Sequence, residues 1–391
     1  MKLSHSLLTL APAFLLCGCI HIETGKSRSD ADSGTESQSQ NFNFATELSS
    51  RGEIGGEVRE LEVVNRFGKL RIVGSDSGPW SWTSTIRVKA RDAAAGNVVV
   101  QSATVTSTTN GSSVHLEFNP PNPGRHARVQ SDLEVRVPRQ ILVHASNGFG
   151  PVEIEGLSTN LTAHVSNGKV TIEDIGGAVT AETSFASLRV HRTGPARLTN
   201  RHGAIEALDI RGSLDARTGF APLRVESVGG PARLKNANGS IQISGATELE
   251  ASTSFASLEA RNISGASTLE NRNGRITASE LHGPVTAETS FAALNLDSEG
   301  TSIDARNQNG GIQIRSRSTS LTHLAAETSF APLEVRLPSG LHPRIEARSD
   351  YGKVESDFPV LTAPTSGSGT GDGEPRIQLN DRNGTIRILR D

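Results

Sequence analysis

The chain has 391 residues, a formal net charge of -3, 39 glycines, 4% aromatic residues and two cysteines. Cysteines at positions 17 and 19 alone exclude a disulfide framework or a cysteine metal site. Lys and Arg are spread among acidic residues along the sequence, so the composition offers no basic footprint and nucleic acid is not expected as a partner.

Residues 1–18 read as a lipoprotein signal peptide. Lys2 precedes an apolar stretch from Leu7 to Leu16 that is long enough for a secretory core and too short to span a bilayer. Leu16-Cys17-Gly18-Cys19 resembles the bacterial lipobox, with Cys17 where Ala, Ser or Thr is usual, so Cys19 is the expected lipidation site. Several acyl chains on one residue would make a permanent membrane anchor. Ile20 after Cys19 resembles the pattern of lipoproteins sent on to the outer membrane. The expected location is the cell envelope, lipid-anchored and extracytoplasmic, at the outer membrane or the periplasmic face. Residues 19–45 are rich in Ser, Asp, Gly and Gln and read as a disordered tether of about 25 to 30 Å.

Residues 46–140 are expected to form an irregular N-terminal β cap. It opens with "NRFGKLRI" within Leu61 to Ile72, then alternating strands around Trp82 to Val88, Val98 to Val105, Val114 to Phe118 and Leu133 to Val137. No stretch shows helical period.

Residues 141–360 carry an internal repeat. Phe185, Phe220, Phe255, Phe291 and Phe330 recur in near-identical settings, such as "TSFASLRV" and "TSFAPLEV". Between them fall Asn167-Gly168, His202-Gly203, Asn238-Gly239, Asn273-Gly274 and Asn309-Gly310. Taken as one series, the step is about 17 or 18 residues, and two variants of one coil alternate. Within a coil the period is two: Val179, Ala181, Thr183 and Phe185 share one parity, and a second short strand supplies pairs such as Leu188 and Val190. A coil cannot bury its own inward face, so neighbours must stack on it. The fold class is therefore all-β, a single-stranded parallel β-solenoid or β-helix of about 18-residue coils. Residues 361–391 supply a loop and a C-terminal capping coil around Asn383-Gly384.

Parity places the Phe column inside the solenoid, with Gly in alternate coils leaving room for the rings. The Asn and Thr of the preceding column, from Asn200 and Thr218 onward, are expected to bond to one another along the stack. If the turn inverts the parity, Phe185, Phe220, Phe255, Phe291 and Phe330 become an exposed candidate ligand stripe. Their two-coil repeat of about 9.6 Å is close to the disaccharide repeat of an extended β-linked glycan.

"VVNRFGKLRIVG", "LEVRVP" ending at Pro138 and "SNGKVTIEDI" resemble the bacterial putative-adhesin β-strand-repeat family, a toast-rack-like domain of unknown function, here on a lipoprotein. The resemblance covers about residues 46 to 391 and implies an extracytoplasmic β-solenoid. The chain departs from the family's usual Asn-Gly turn by placing Ser-Phe-Ala in every second coil.

The outward column His164, Glu182, Thr199, Arg217, Lys235, Ser252, Glu270, Glu288, Arg306 and Glu327 mixes signs, and pairs such as Glu288 and Arg306 read as exposed cross-coil ion pairs. The eleven His residues are scattered and lack metal-ligand spacing, and His202 reads as a stand-in for Asn. No nucleophile elbow or phosphate loop occurs, so no catalytic residue, metal or cofactor is expected. The function read from this is a non-enzymatic cell-envelope binding or structural module, an adhesin or envelope scaffold. Its expected partners are the membrane through the lipid and a cell-envelope glycan or surface protein. An envelope-stress sensor or regulatory domain and a β-helix carbohydrate-active enzyme are the alternatives.

Overall fold

Alternating apolar and polar residues, cut by a turn after each five or six, give every coil two short strands, and the strands of successive coils stack in parallel. The computed structural model describes residues 21–23, 44–54, 58–76, 80–118, 120, 127–361 and 375–391. The signal peptide, Cys19 and most of the expected tether lie outside them; within the tether, His21–Glu23 pairs antiparallel with Glu47–Ser49 as a short edge strand.

The solenoid expectation holds: two long, predominantly parallel sheets face each other. One stacks Leu161–Asn167, Val179–Thr183, Ala196–Asn200, Leu214–Thr218 and their successors. The other stacks Val170–Ile175, Leu188–Thr193, Ile205–Ile210, Leu223–Val228 and theirs. Register runs Leu161 to Val179 to Ala196 to Leu214 and Ala163 to Ala181 to Leu198 to Ala216, so each inward column is continuous. These columns are buried, and each large apolar side chain taken from water contributes about 1.5 to 3 kcal/mol.

The second strand of a coil carries a bulge that the alternation does not announce. Gly156, Asp174, Arg192, Asp209, Ser227, Gly245, Asn262 and Glu280 take positive φ between 52° and 84° in eight successive coils. The extra outward residue lets Ile172 and Ile175, three apart, both point into the core. The bulge ends where Ala278 pairs with Leu296 and Leu281 with Ser298, the partner strand being one residue shorter.

Both ends depart from simple stacking. At the N-terminal end Glu60–Phe67 lies between Ser113–Phe118 and Leu142–Phe149, and Leu70–Ser75 lies between Ala127–Pro138 and Val152–Glu155. The first coil is thus an inner layer. Trp80–Ala90 joins Ala127–Pro138 and Phe44–Ile54 as antiparallel strands beyond it.

At the C-terminal end Arg376–Asp381 lies between His323–Thr328 and Arg344–Ser349, and Ile386–Arg390 lies between Leu333–Leu337 and Val354–Ser356. The expected C-terminal capping coil is therefore the second-last layer, and residues 344–361 are the outermost. The buried Ile377, Leu379, Ile386 and Ile388 fit a slot covered on both sides, whereas Val354 and Val360 are only half-buried.

The reading of Val98 to Val105 as a strand, and of the chain as free of helix, is corrected. Ala93–Ser102 is an α-helix, capped by Asp92, whose Oδ1 accepts the Ala95 amide at 2.8 Å. Its β-branched run Val98-Val99-Val100 suggested a strand, but burial of Val99 with Ile86, Val88 and Phe118 in a satellite core holds the helix.

Candidate functional site

From Val179–Thr183 to His323–Thr328 the first strand of each coil ends at a small polar residue, such as Thr183, Asn200, Thr218 or Asn236, which is buried in the corner before the turn. These residues do not bond to one another as expected; all but Thr183, whose hydroxyl is buried without a partner, serve the backbone of the turns. The Asn200 amide nitrogen donates to the carbonyls of Ala186 (2.7 Å) and Ala204 (3.2 Å), and its Oδ1 accepts the Gly203 amide at 2.9 Å. Asn236, Asn271 and Asn307 repeat the pattern. In alternate coils Thr218, Thr253, Thr289 and Thr328 donate to the carbonyls of Gly203, Gly239, Gly274 and Gly310 at 2.9 to 3.0 Å. Alternation of the two coil types follows from this stitching, because each type satisfies the turn of the other.

The inner corner is thereby filled, and the Phe side chains point outward. Phe185, Phe220, Phe255, Phe291 and Phe330 are 59 to 64% exposed, so the inward placement from parity is corrected. Period two holds only while the strand lasts, and the strand ends at Thr183, two residues before Phe185. The small residue of the Gly turns is needed for a different reason than room for a ring. A Cβ on Gly274 would lie 2.2 Å from the Ala256 carbonyl oxygen of the preceding coil.

The outward column is longer than the five-Phe stripe. Phe67 pairs in register with Phe149, and Phe149 with Asn167. Continuing two residues beyond each strand end, the column runs from Asn167 through Phe185, His202 and Phe220 to Phe330, Asn383 and Tyr351. Fourteen turns contribute, and at about 4.8 Å per step the column is about 62 Å long. Of the ten exposed large hydrophobic side chains among the described residues, eight belong to it: the five Phe, Phe67, Phe149 and Tyr351. The settings "NRFGK", "NGFGP" and "SDYGK" of the three added residues share an aromatic-Gly turn, which is the signal that could have found them.

Where neighbouring turns both carry rings, the rings stack along the rod. Phe67 and Phe149 are 5.5 Å apart and 7° from parallel. His202, read from sequence as a plain stand-in for Asn, lies between Phe185 (4.9 Å, 10°) and Phe220 (5.6 Å, 8°). Such spacings require the ring faces to look largely along the rod. Where Asn takes the middle place the ring is missing and a notch remains. Its floor is Asn238 or Asn309, folded back onto the carbonyl of Gly219 (3.2 Å) or Ser290 (3.1 Å).

The turns that carry this column are also basic. Arg66 and Lys69 flank Phe67, Lys169 follows Asn167, and Arg201 precedes His202. Arg272 and Arg275 bracket Asn273, Arg382 precedes Asn383, and Lys353 follows Tyr351. Lys69 is bridged to Glu153 at 2.7 Å; the other seven are exposed. None of those seven side chains has a hydrogen bond or ion pair with a described residue. The one carboxylate in these turns, Asp350, is bridged to Arg348. The premise that Lys and Arg are not clustered fails in three dimensions, because, Arg272 and Arg275 apart, the cations of this edge are separated by one or more coils in sequence.

The opposite edge behaves differently. There Arg192 pairs with Asp174 at 2.6 Å, which holds the Asp174 carboxyl below the usual carboxylate range, and His191 contacts Asp209 at 3.2 Å. In the outward column of the first sheet His164 and Glu182 pair at 3.3 Å. Glu288 and Arg306 face each other in register but form no ion pair within 4.0 Å, so the cross-coil pair expected of them is absent.

A hollow of about 570 Å³ lies on the face of the first sheet, lined by Arg197, Asp215, Arg233 and Glu250 among others. Of its three acids, Asp215 pairs with Arg217 at 2.9 Å and Glu250 with Arg233 at 2.6 Å, leaving only Glu248, so it holds no free pair of carboxylates of the kind glycoside chemistry uses. Among the described residues no group of three or more His, Cys, Asp or Glu is placed to hold a metal ion, and no helix is long and apolar enough to cross a membrane.

No protein-family model matches the chain, and no curated protein matches it. Among solved structures it is similar to a putative cell adhesion protein from Clostridium sporogenes, with 9% identity over 88% of this chain and 99% of that one, at a TM-score of 0.20. It is also similar to a putative adhesin from Parabacteroides distasonis, with 11% identity over 88% and 97% and a TM-score of 0.21. A putative lipid binding protein from the same organism shares 11% identity over 87% and 96%, at a TM-score of 0.18.

Proposed function

We propose that this protein is a non-enzymatic binding module of the cell envelope, anchored through a lipid on Cys19, that offers one edge of a rigid rod to a long polymer such as an envelope glycan. The observation that carries this reading is the concentration of exposed aromatic side chains in a single column that runs the length of the rod. Contiguous exposed apolar surface on a folded protein marks an interaction site. Scattered over the surface, eight such rings would need no explanation; aligned in one column, they do.

The test is retention of the full chain on insoluble cellulose, chitin and peptidoglycan, beside a protein carrying Phe220→Ser and Phe291→Ser. Wild type is expected to be retained on at least one of them and the double variant to be lost from it. Equal retention of both proteins, or retention of neither on these solids with no binding to an acidic glycan, overturns the reading. Anchoring is tested separately: Cys19→Ser is expected to leave the membrane fraction, and a variant that stays there after a salt wash removes the lipid from the proposal.

A further inference from the structure

We infer that the polymer taken by this edge is an acidic β-linked glycan with one carboxylate per disaccharide. The inference rests on the binding reading above and adds the charge of the ligand. Its ground is the set of seven exposed cations without an ion-pair partner among the described residues, placed in the same turns as the aromatic column. Elsewhere on the rod many bases are paired with acids, as Arg192 is with Asp174 and Arg233 with Glu250, and others without an ion pair among the described residues, such as Arg197, Arg261 and Arg306, lie on the sheet faces and do not share one edge. A chain of net charge -3 thus carries a strip of unneutralised positive charge along one edge, and such a strip raises the local concentration of an anionic partner.

Spacing selects the class of anion. The seven cations fall in the turns of Phe67, Asn167, His202, Asn273, Asn383 and Tyr351, two of them at Asn273; all but Lys353 lie at whole multiples of the two-coil step of about 9.6 Å from one another, with steps of about 19 Å across the Asn238 and Asn309 turns. A stacked single strand of nucleic acid carries a phosphate about every 3.4 Å, far denser than the cations that would meet it. In an extended β-linked glycan each sugar is turned over relative to the last. The same face and the same acidic substituent therefore return once per disaccharide, in step with the two coil types.

The alternation of side chains fits such a repeat. Cations without partners stand beside Asn167, His202, Asn273 and Asn383, and at the two ends beside Phe67 and Tyr351, while the turns of Phe185, Phe220, Phe255, Phe291 and Phe330, and those of Asn238 and Asn309, bear none. One repeat would therefore set a carboxylate near a cation and a C–H face or planar substituent in a notch between rings. The notch floor supplies an amide, as at Asn238 and Asn309.

The experiment measures binding of the full chain to hyaluronan oligosaccharides, chitin oligosaccharides and oligothymidylate. Wild type is compared with Arg201→Ser/Arg272→Ser/Arg275→Ser and with Phe220→Ser/Phe291→Ser. Wild type should prefer hyaluronan, binding should weaken as salt rises, and the Arg variant should lose about ten-fold or more in affinity with an unchanged melting temperature. Equal hyaluronan binding by wild type and the Arg variant overturns the inference. Tighter binding of oligothymidylate than of hyaluronan also overturns it, in favour of nucleic acid. If chitin is bound instead and only the Phe variant loses it, the binding edge stands and its acidic ligand falls. If no polymer is bound by any of the three proteins, both fall.

Discussion

Asp381 occupies, two coils beyond Asn307, the column position where Asn307 donates from its amide nitrogen to the Ala292 carbonyl at 2.7 Å, and the corresponding Asp381 oxygen, Oδ2, is buried without a partner. Its other oxygen behaves as the Asn oxygen does, accepting the amides of Asn383 (3.1 Å) and Gly384 (2.9 Å). Asp381→Asn should therefore supply the missing donor and raise stability by about 1 kcal/mol. Thermal or urea unfolding of the two proteins checks this, and an unchanged or lower midpoint would show that Oδ2 is satisfied in solution.

Phe255 and Leu258 lie three residues apart, and opposite costs are expected of them. Phe255 is 64% exposed and Leu258 is fully buried. Leu258→Ala should cost about 2 to 5 kcal/mol through lost burial and a cavity, whereas an exposed ring truncated to Ala should cost under about 1 kcal/mol. Melting curves of the two single variants decide it. If Phe255→Ala falls as far as Leu258→Ala, the rings are packed and not displayed.

Asp132 fastens the N-terminal strands to the first coil, and its contribution depends on pH. Burial pushes its carboxyl up, but the Lys69 amide at 2.9 Å and the Arg87 guanidinium outweigh that and hold it below the usual carboxylate range. A carboxyl depressed in the folded state stabilises above its unfolded value, and the gain is lost as pH falls through the folded value. Asp132→Asn should lose about 1 kcal/mol at neutral pH. The gap from wild type should close in acid, as pH falls through the depressed folded value. Unfolding midpoints at neutral and acid pH are the measurement, and a gap that persists in acid would place the effect in packing instead of charge.

The strands of the solenoid were legible because period two and Gly-rich turns recur at a fixed step, so Leu161, Val179 and Leu214 announce one column. The direction of Phe185 was not, since parity carries no information once the strand has ended at Thr183. Nor was the basic edge: Arg201 and Arg272 belong to one strip only after three coils have been stacked between them. The bulge column escaped for a related reason. Arg192, Ser227 and Glu280 are not residues that usually mark a left-handed backbone, and neighbouring coils impose that conformation on them. The helix Ala93–Ser102 was hidden by its own valines.

The buried place of the last coil has a consequence for how the chain is made. A ribosome releases residues 344–361 before 376–390, yet the first of these segments has no strand beneath it until the second arrives. The same holds at the other end, where Glu60–Phe67 waits for Ser113–Phe118 and Leu142–Phe149. Stacking cannot proceed rung by rung from the first residue synthesised. The middle coils must form while both ends of the stack are still open, and the rod is clasped only after residues 376–390 have been made. A chain cut before Ile386 would leave Leu333–Leu337 as a bare edge, open to pairing with another chain.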